Sequence, residues 1–254
     1  MSLECLIFDV DGTMADTERD GHRVAFNQAF ADAGLDWHWG VELYGKLLAV
    51  TGGKERMRHY IDAFRPDYEK PDDFDAMVVQ LHAAKTRHYT GLMRQALIPL
   101  RPGVERLLQD ARQQSLRLAI ATTTTPANVS ALLESTLGED GESWFEVIGA
   151  GDVVPAKKPA ADIYDYVLKK LDLPASACLA FEDSGNGILS SAGAGLKTII
   201  TVNGYTRDDD FSDAEVVLDN LGEPDQPASV IAGTGINGSA FVDIATLRKL
   251  HERK

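Results

Sequence analysis

The chain has 254 residues, 44% of them hydrophobic, enough to bury a substantial core as one large domain or two smaller ones. Asp and Glu number 39 against 25 Lys and Arg, a formal net charge of -14, which argues against a nucleic-acid or anionic-membrane partner, since either calls for a basic face. No apolar run is long enough to span a bilayer, and the first one begins almost at Met1, leaving no room for a signal or transit peptide, so a cytoplasmic protein is expected.

The first apolar run, Cys5-Leu6-Ile7-Phe8, reads as a buried strand. It delivers Asp9-Val10-Asp11-Gly12-Thr13, where two carboxylates at a strand's carboxyl end can bind one hard cation and leave an oxygen free to attack. Gly12 lets the backbone turn sharply and approach a small ligand. From about Asp16 to Leu97 no convincing strand occurs. There Phe74, Met77, Val78, Leu81 and Ala84 recur at helical spacing after the start signal Pro71-Asp72-Asp73. Strand-like runs resume at Leu116–Ala121, Val147–Ile148, Cys178–Phe181, Thr198–Val202 and Val216–Leu218. Helix-like segments lie between them at Val104–Gln113, Ala127–Leu137, Ala161–Leu171 and Gly187–Ala194. This alternation predicts an α/β fold, a doubly wound and mostly parallel sheet, carrying an inserted all-helical unit. The expected boundaries are 1–16 and 98–254 for the α/β core and 17–97 for the helical unit. Cys5 and Cys178, both in strand-like runs, read as buried reduced thiols.

Ligands of a parallel α/β sheet bind outside the carboxyl ends of its strands. Thr122 follows Leu118-Ala119-Ile120-Ala121, Lys158 stands just before Pro159 and a helix, and Glu182-Asp183 closes Leu179-Ala180-Phe181. Asp9-x-Asp11-Gly-Thr, Thr122, Lys158-Pro159 and Glu182-Asp183 resemble motifs I to IV of the haloacid dehalogenase (HAD) superfamily, in order and over nearly the whole chain up to about Leu218. The resemblance implies a Rossmann-like core with a helical cap. Asp9 is then the nucleophile: a carboxylate of ordinary pKa about 3.9 is ionised at neutral pH and needs no separate base to form an aspartyl-phosphate. Asp11 is the general acid and then base, and must begin protonated to donate to the leaving oxygen. Oxygen donors without a Cys/His cluster point to Mg2+. By resemblance its ligands are the Asp9 carboxylate, the Asp11 backbone carbonyl and Asp183, with Glu182 direct or through water. Thr122 and Lys158 hold the transferring phosphoryl oxygens, the lysine cancelling charge that would repel Asp9, and Thr123 is counted with the substrate contacts.

Specificity is expected from the cap, since the core motifs serve many chemistries. Asp16-Thr17-Glu18 opens the cap next to the site and resembles the sugar-phosphate branch related to β-phosphoglucomutase; Glu18 and His22 are candidate substrate contacts in the cleft. In the mutases a histidine follows the threonine by four residues; here Gly21 holds that position and His22 comes one later, a departure that argues against mutase activity. In Leu47–Arg56, a glycine pair followed by Lys54 and Arg56 at a helix start can present backbone N–H groups and positive charge to an anion. This stretch resembles the cap signature of the CbbY-like phosphatases associated with the Calvin cycle. The resemblance implies conversion of a pentulose bisphosphate, xylulose-1,5-bisphosphate, to xylulose 5-phosphate; the physical reading agrees, with Lys54 and Arg56 holding the distal phosphate and Gly52 and Gly53 counted with the substrate contacts. Arg19, Lys85 and Arg87 are further cationic candidates for the cleft. A sugar phosphomutase and a phosphoglycolate-type phosphatase are the alternatives; the intact catalytic set disfavours a non-enzymatic binding module. A monomer acting on a small molecule is expected. Gly233-Thr-Gly235-Ile-Asn-Gly238 fits G-x-G-x-x-G but has no following strand or acidic ribose partner, so it reads as a flexible loop before a terminal helix at Phe241–Leu250.

Overall fold

The computed structural model describes residues 2–95, 97–234 and 241–253. Seven strands form one sheet: β1 (Cys5–Phe8), β2 (Arg117–Ala121), β3 (Val147–Gly149), β4 (Cys178–Glu182), β5 (Lys197–Thr201), β6 (Val216–Leu218) and β7 (Val230–Gly233). Their order is β3-β2-β1-β4-β5-β6-β7, and every pairing is parallel except β6 with β7. The central strands are apolar on both faces because helices cover both. Leu6, Phe8, Leu118, Ile120 and Phe181 face one layer, whereas Cys5, Ile7, Ala119, Ala121 and Cys178 face the other. In register with one another, Phe8 and Phe181 stack at 4.4 Å between ring centroids. The free, buried cysteines Cys5 and Cys178 are also register partners. β1 lies between β2 and β4, so the order reverses there and a crevice opens at the carboxyl ends of these three strands.

Helices α1 (Arg23–Asp32), α2 (Val41–Leu47), α3 (Gly53–Phe64) and α4 (Phe74–Met93) all fall between β1 and β2, with no strand among the described residues there. Phe26, Phe30, Trp37, Trp39, Tyr44 and Met57 give these helices their own aromatic-rich core. The chain leaves and returns by an antiparallel bridge between Ala15 and Leu100. Arg101, buried at the return, donates to the carbonyls of Gly12, Thr201, Val202 and Asp219 and so ties the crossing to the β1 loop and the ends of β5 and β6.

The remaining helices are α5 (Val104–Gln113), α6 (Pro126–Leu137), α7 (Asp162–Leu171), α8 (Gly185–Gly193) and α9 (Ile244–Glu252). α9 starts three residues later than the Phe241 expected from sequence. The cause is Asp243, whose carboxylate accepts from the Thr246 N–H and caps the helix, while Phe241 packs beneath the Arg106 guanidinium. β7 makes Val230-Ile231-Ala232 an edge strand; the Gly235–Gly238 part of the glycine motif lies outside the described residues.

Candidate active site

Asp9, Thr122, Glu182 and Asp183 lie at the carboxyl ends of β1, β2 and β4, and Lys158 reaches them from the loop before α7. All five are buried and line one cavity of about 510 Å³. The Lys158 ammonium donates to Asp9 Oδ1 and Glu182 Oε1, each at 2.6 Å, and to the Ala121 carbonyl at 2.8 Å, which uses its three protons. Tyr164, on α7, donates its hydroxyl to the same Glu182 oxygen at 2.6 Å. The Asn203 amide donates to Asp183 Oδ2 at 2.6 Å and accepts from the Tyr205 N–H at 2.8 Å.

Two glycines make room for the carboxylates. Gly12 has φ +87°, and a Cβ there would stand 2.2 Å from Asp183 Oδ2. At Gly187 a Cβ would lie 2.0 Å from Glu182 Oε2. Burial pushes Asp9 up to about 8, against the pull of Lys158. Burial, Asp9 and Glu182 push Asp183 well above the ordinary carboxylate range. Although burial opposes its charge, Lys158 is held above its usual range by Asp9 and Glu182, so it stays an ammonium. One ammonium thus faces three carboxylates, and the surplus negative charge shows as the reluctance of Asp9 and Asp183 to ionise.

This donor set fits a divalent cation. Asp9, Glu182 and Asp183 each offer an oxygen within 4.8 Å of the others, all are buried, and the ligand chemistry is hard. Asp11, Glu18 and His22 form a second such group, in which Asp11 Oδ1, Glu18 Oε2 and both ring nitrogens of His22 are already engaged by neighbouring side chains.

Asp11 Oδ1 accepts from the Thr17 hydroxyl at 2.5 Å and lies 2.8 Å from His22 Nε2. Lys85 Nζ is 2.6 Å from His22 Nδ1. With Lys85 donating to Nδ1, the imidazole proton sits on Nε2 and points at Asp11. Burial alone would raise the Asp11 carboxyl, but His22, Thr17 and Lys85 outweigh it and hold Asp11 below the ordinary range. Asp11 is therefore a carboxylate in this arrangement, not the protonated acid that its expected first step requires. The extra residue before His22 does not carry it away from the site. Glu18–His22 form a π-helical turn, closed by the Arg23 N–H on the Glu18 carbonyl, which absorbs that residue. The spacing argument against mutase chemistry thus has no counterpart in the geometry.

Glu18, Arg56 and Thr123 line the main cavity beside the catalytic groups. Gly52, Gly53, Lys54 and His22 line an adjoining cleft of about 50 Å³, which shares Asp11, Glu18, Arg56 and Thr123 with it. Lys54 is engaged rather than free: its ammonium meets Asp152 at 2.7 Å, and the other Asp152 oxygen takes Lys157 at 2.7 Å. His82 packs against Gly53, and burial together with Lys85 and Lys54 pushes it down to about 4. Tyr44, Tyr164, Asn203 and Asp152 were not singled out from the sequence. The two tyrosines read as core because their rings are buried; only the fold shows where their hydroxyls go.

Residues 3–195 match the haloacid dehalogenase-like hydrolase family. Protein CbbY of Cupriavidus necator is 45% identical over 251 residues, covering 98% of this chain and 97% of that protein. Protein CbbY of Rhodobacter capsulatus is 49% identical over 221 residues, covering 87% and 95%. The crystal structure of CbbY from Rhodobacter sphaeroides in complex with phosphate superposes with a TM-score of 0.80 at 42% identity, covering 87% of this chain and 96% of that one. A variant of that same protein has been solved with xylulose-1,5-bisphosphate. Family match, near full-length similarity and the shared fold agree, and the chain belongs to the haloacid dehalogenase-like hydrolases, among the CbbY proteins.

Proposed function

We propose that this protein is a phosphatase that removes one phosphate from a pentulose bisphosphate through an aspartyl-phosphate, with xylulose-1,5-bisphosphate giving xylulose 5-phosphate. The observation that carries the reading is the buried ammonium of Lys158 shared between Asp9 and Glu182, in a cavity that also receives Arg56 and Glu18 from the helical unit. The choice of sugar is supported by the Rhodobacter sphaeroides CbbY variant that binds xylulose-1,5-bisphosphate. The expected setting is cytoplasmic, as a monomer, in or near the Calvin cycle. No helix among the described residues is long and apolar enough to cross a membrane.

In this reading Asp9, Asp183, the Asp11 carbonyl and Glu182 would hold Mg2+, which when bound supplies positive charge to the phosphoryl oxygens and to the carboxylates around them. An Asp9 oxygen attacks phosphorus as the bond to the sugar oxygen breaks. Lys158 and Thr122 hold the transferring oxygens, placing a fixed charge where charge spreads in the transition state. The leaving oxygen takes a proton through Asp11, which must first receive one; His22 Nε2 is the group within reach, and Lys85 at Nδ1 passes the ring a proton as Nε2 gives one up. Asp11 then takes a proton from the water that attacks the aspartyl-phosphate, and inorganic phosphate leaves. Lys54 and Arg56 hold the distal phosphate, with Lys54 exchanging Asp152 for it. Closure of the helical unit over the substrate excludes bulk water.

Phosphate release across a panel of sugar mono- and bisphosphates, with and without Mg2+, tests this assignment. Release from xylulose-1,5-bisphosphate above the monophosphates is expected, and an isomerised product without free phosphate would mark a mutase instead. Asp9→Asn should abolish turnover while the circular dichroism spectrum is unchanged; normal turnover by that variant would remove the covalent route.

A further inference from the structure

Tyr44, on α2, is neither a motif residue nor a reacting group, yet its hydroxyl stands between the two opposite charges that the helical unit sends to the cavity. It donates to Glu18 Oε2 and accepts from Arg56 Nη1 at 2.9 Å. The charged groups themselves stay 3.8 Å apart. Tyr44 and Arg56 are buried, and the Glu18 side chain is 17% exposed, facing the cavity. The Arg56 guanidinium also lies over the Tyr44 ring, 5.2 Å from its centroid, and its Nε donates to the Val50 carbonyl at 3.3 Å. From the sheet side, Tyr205 packs edge-on against Tyr44 at 6.1 Å.

An arginine and a glutamate this close ordinarily shut into a two-pronged pair at about 2.7–2.9 Å. In that geometry each spends its hydrogen-bonding capacity on the other. The interposed hydroxyl takes one lone pair of Glu18 and one N–H of Arg56. Among the described residues, Glu18 Oε1 and Arg56 Nη2 then have no hydrogen-bond partner. A carboxylate oxygen only accepts and a guanidinium only donates. Side by side, they match a ligand that presents a hydroxyl next to a carbonyl or phosphate oxygen. A simple aryl phosphate lacks that hydroxyl.

We propose that Tyr44 is a specificity-positioning residue: its hydroxyl keeps Glu18 and Arg56 from pairing directly, so that Glu18 accepts from a sugar hydroxyl while Arg56 donates to a neighbouring substrate oxygen. The proposal rests on the sugar-bisphosphatase reading and names the residue that selects polyhydroxylated phosphates over compact ones.

Tyr44→Phe keeps the ring, its stacking under Arg56 and its packing on Trp39, and removes only the hydroxyl. The KM for xylulose-1,5-bisphosphate should rise about tenfold, as expected for a charge-assisted hydrogen bond, with a smaller change in kcat. The rise should exceed that for p-nitrophenyl phosphate by about fivefold or more. Glu18→Gln should show the same selective rise, and adding Tyr44→Phe to it should cost less than about twofold more, since the pair that the hydroxyl prevents has lost its charge. Equal KM rises on the two substrates, or effects that simply multiply in the double variant, overturn the proposal. If Tyr44→Phe does not fold, Glu18→Gln decides alone: a KM rise that is not selective for the sugar overturns it. A wild-type protein that releases no phosphate from any sugar ester sinks the parent reading instead, before either variant is made.

Discussion

Stripping divalent cations leaves Lys158 to offset Asp9, Glu182 and Asp183, and folding stability should then fall as pH rises through neutrality. Asp9 moves from an ordinary 3.8 up to about 8 in the folded protein. A carboxyl raised in this way keeps a proton that the unfolded chain has lost, so its stabilisation is complete below the unfolded pKa and lost as pH climbs to the folded one. Asp183 shifts in the same direction. Two other buried groups bracket the useful window. His82, pushed down from 6.5 to about 4, costs stability only as pH falls below about 6.5. Lys85, lowered from 10.5 to about 8, adds stability only as pH rises above about 8. Between those limits Asp9 dominates, giving up to about 1.4 kcal/mol per pH unit, and Asp183 acts in the same sense. Over about 1.5 units Asp9 alone contributes about 2 kcal/mol, or about 4–8 °C in Tm for a chain of this size. Thermal denaturation with EDTA at both ends of the window, repeated with saturating Mg2+, measures it. The chelated protein should lose those degrees, and the cation should flatten the profile by stabilising the ionised carboxylates. A chelated Tm that is flat or rising across the window would refute the charge imbalance described for this site.

Gly187→Ala should lower Mg2+ affinity about tenfold or more in titration calorimetry, because the new methyl group would displace the Glu182 carboxylate; unchanged affinity would show that Glu182 does not shape the cation site. Lys54→Ala should cost about tenfold in kcat/KM on a bisphosphate and less than about twofold on a monophosphate, read from initial rates. Equal losses would leave Lys54 as a partner of Asp152 with little energetic weight, as is usual for exposed pairs.

The strands were legible because helices cover both faces of the sheet, so β1 and β4 are short unbroken apolar runs whose last residues turn into the crevice. Asp9, Thr122, Lys158 and Asp183 could be picked out for the same reason: each follows a strand or precedes a helix at the same edge. What escaped depends on approach between distant segments. Asp152 meets Lys54 across 98 positions, and Arg101 closes onto carbonyls up to 118 positions away. Tyr44 and Tyr164 carry no local signal, because a tyrosine at a helical core position looks the same whether or not its hydroxyl has found a carboxylate. The state of Asp11 depended on His22 and Lys85 arriving from two different helical turns.

The π-helical turn at Glu18–His22 makes the entrance to the helical unit tolerant of length change. Its outer residues, Arg19 and Asp20, are exposed, whereas Gly21 and His22 are buried against the interior. Removing one of the outer pair would shorten the turn to an ordinary α-helical one and leave the imidazole where it is. Deletion of one residue at this point is therefore expected to keep the His22 contact with Asp11. Counted by residues, His22 falls one place beyond the expected position; located by its ring's contact with the Asp11 carboxylate, it falls at the site.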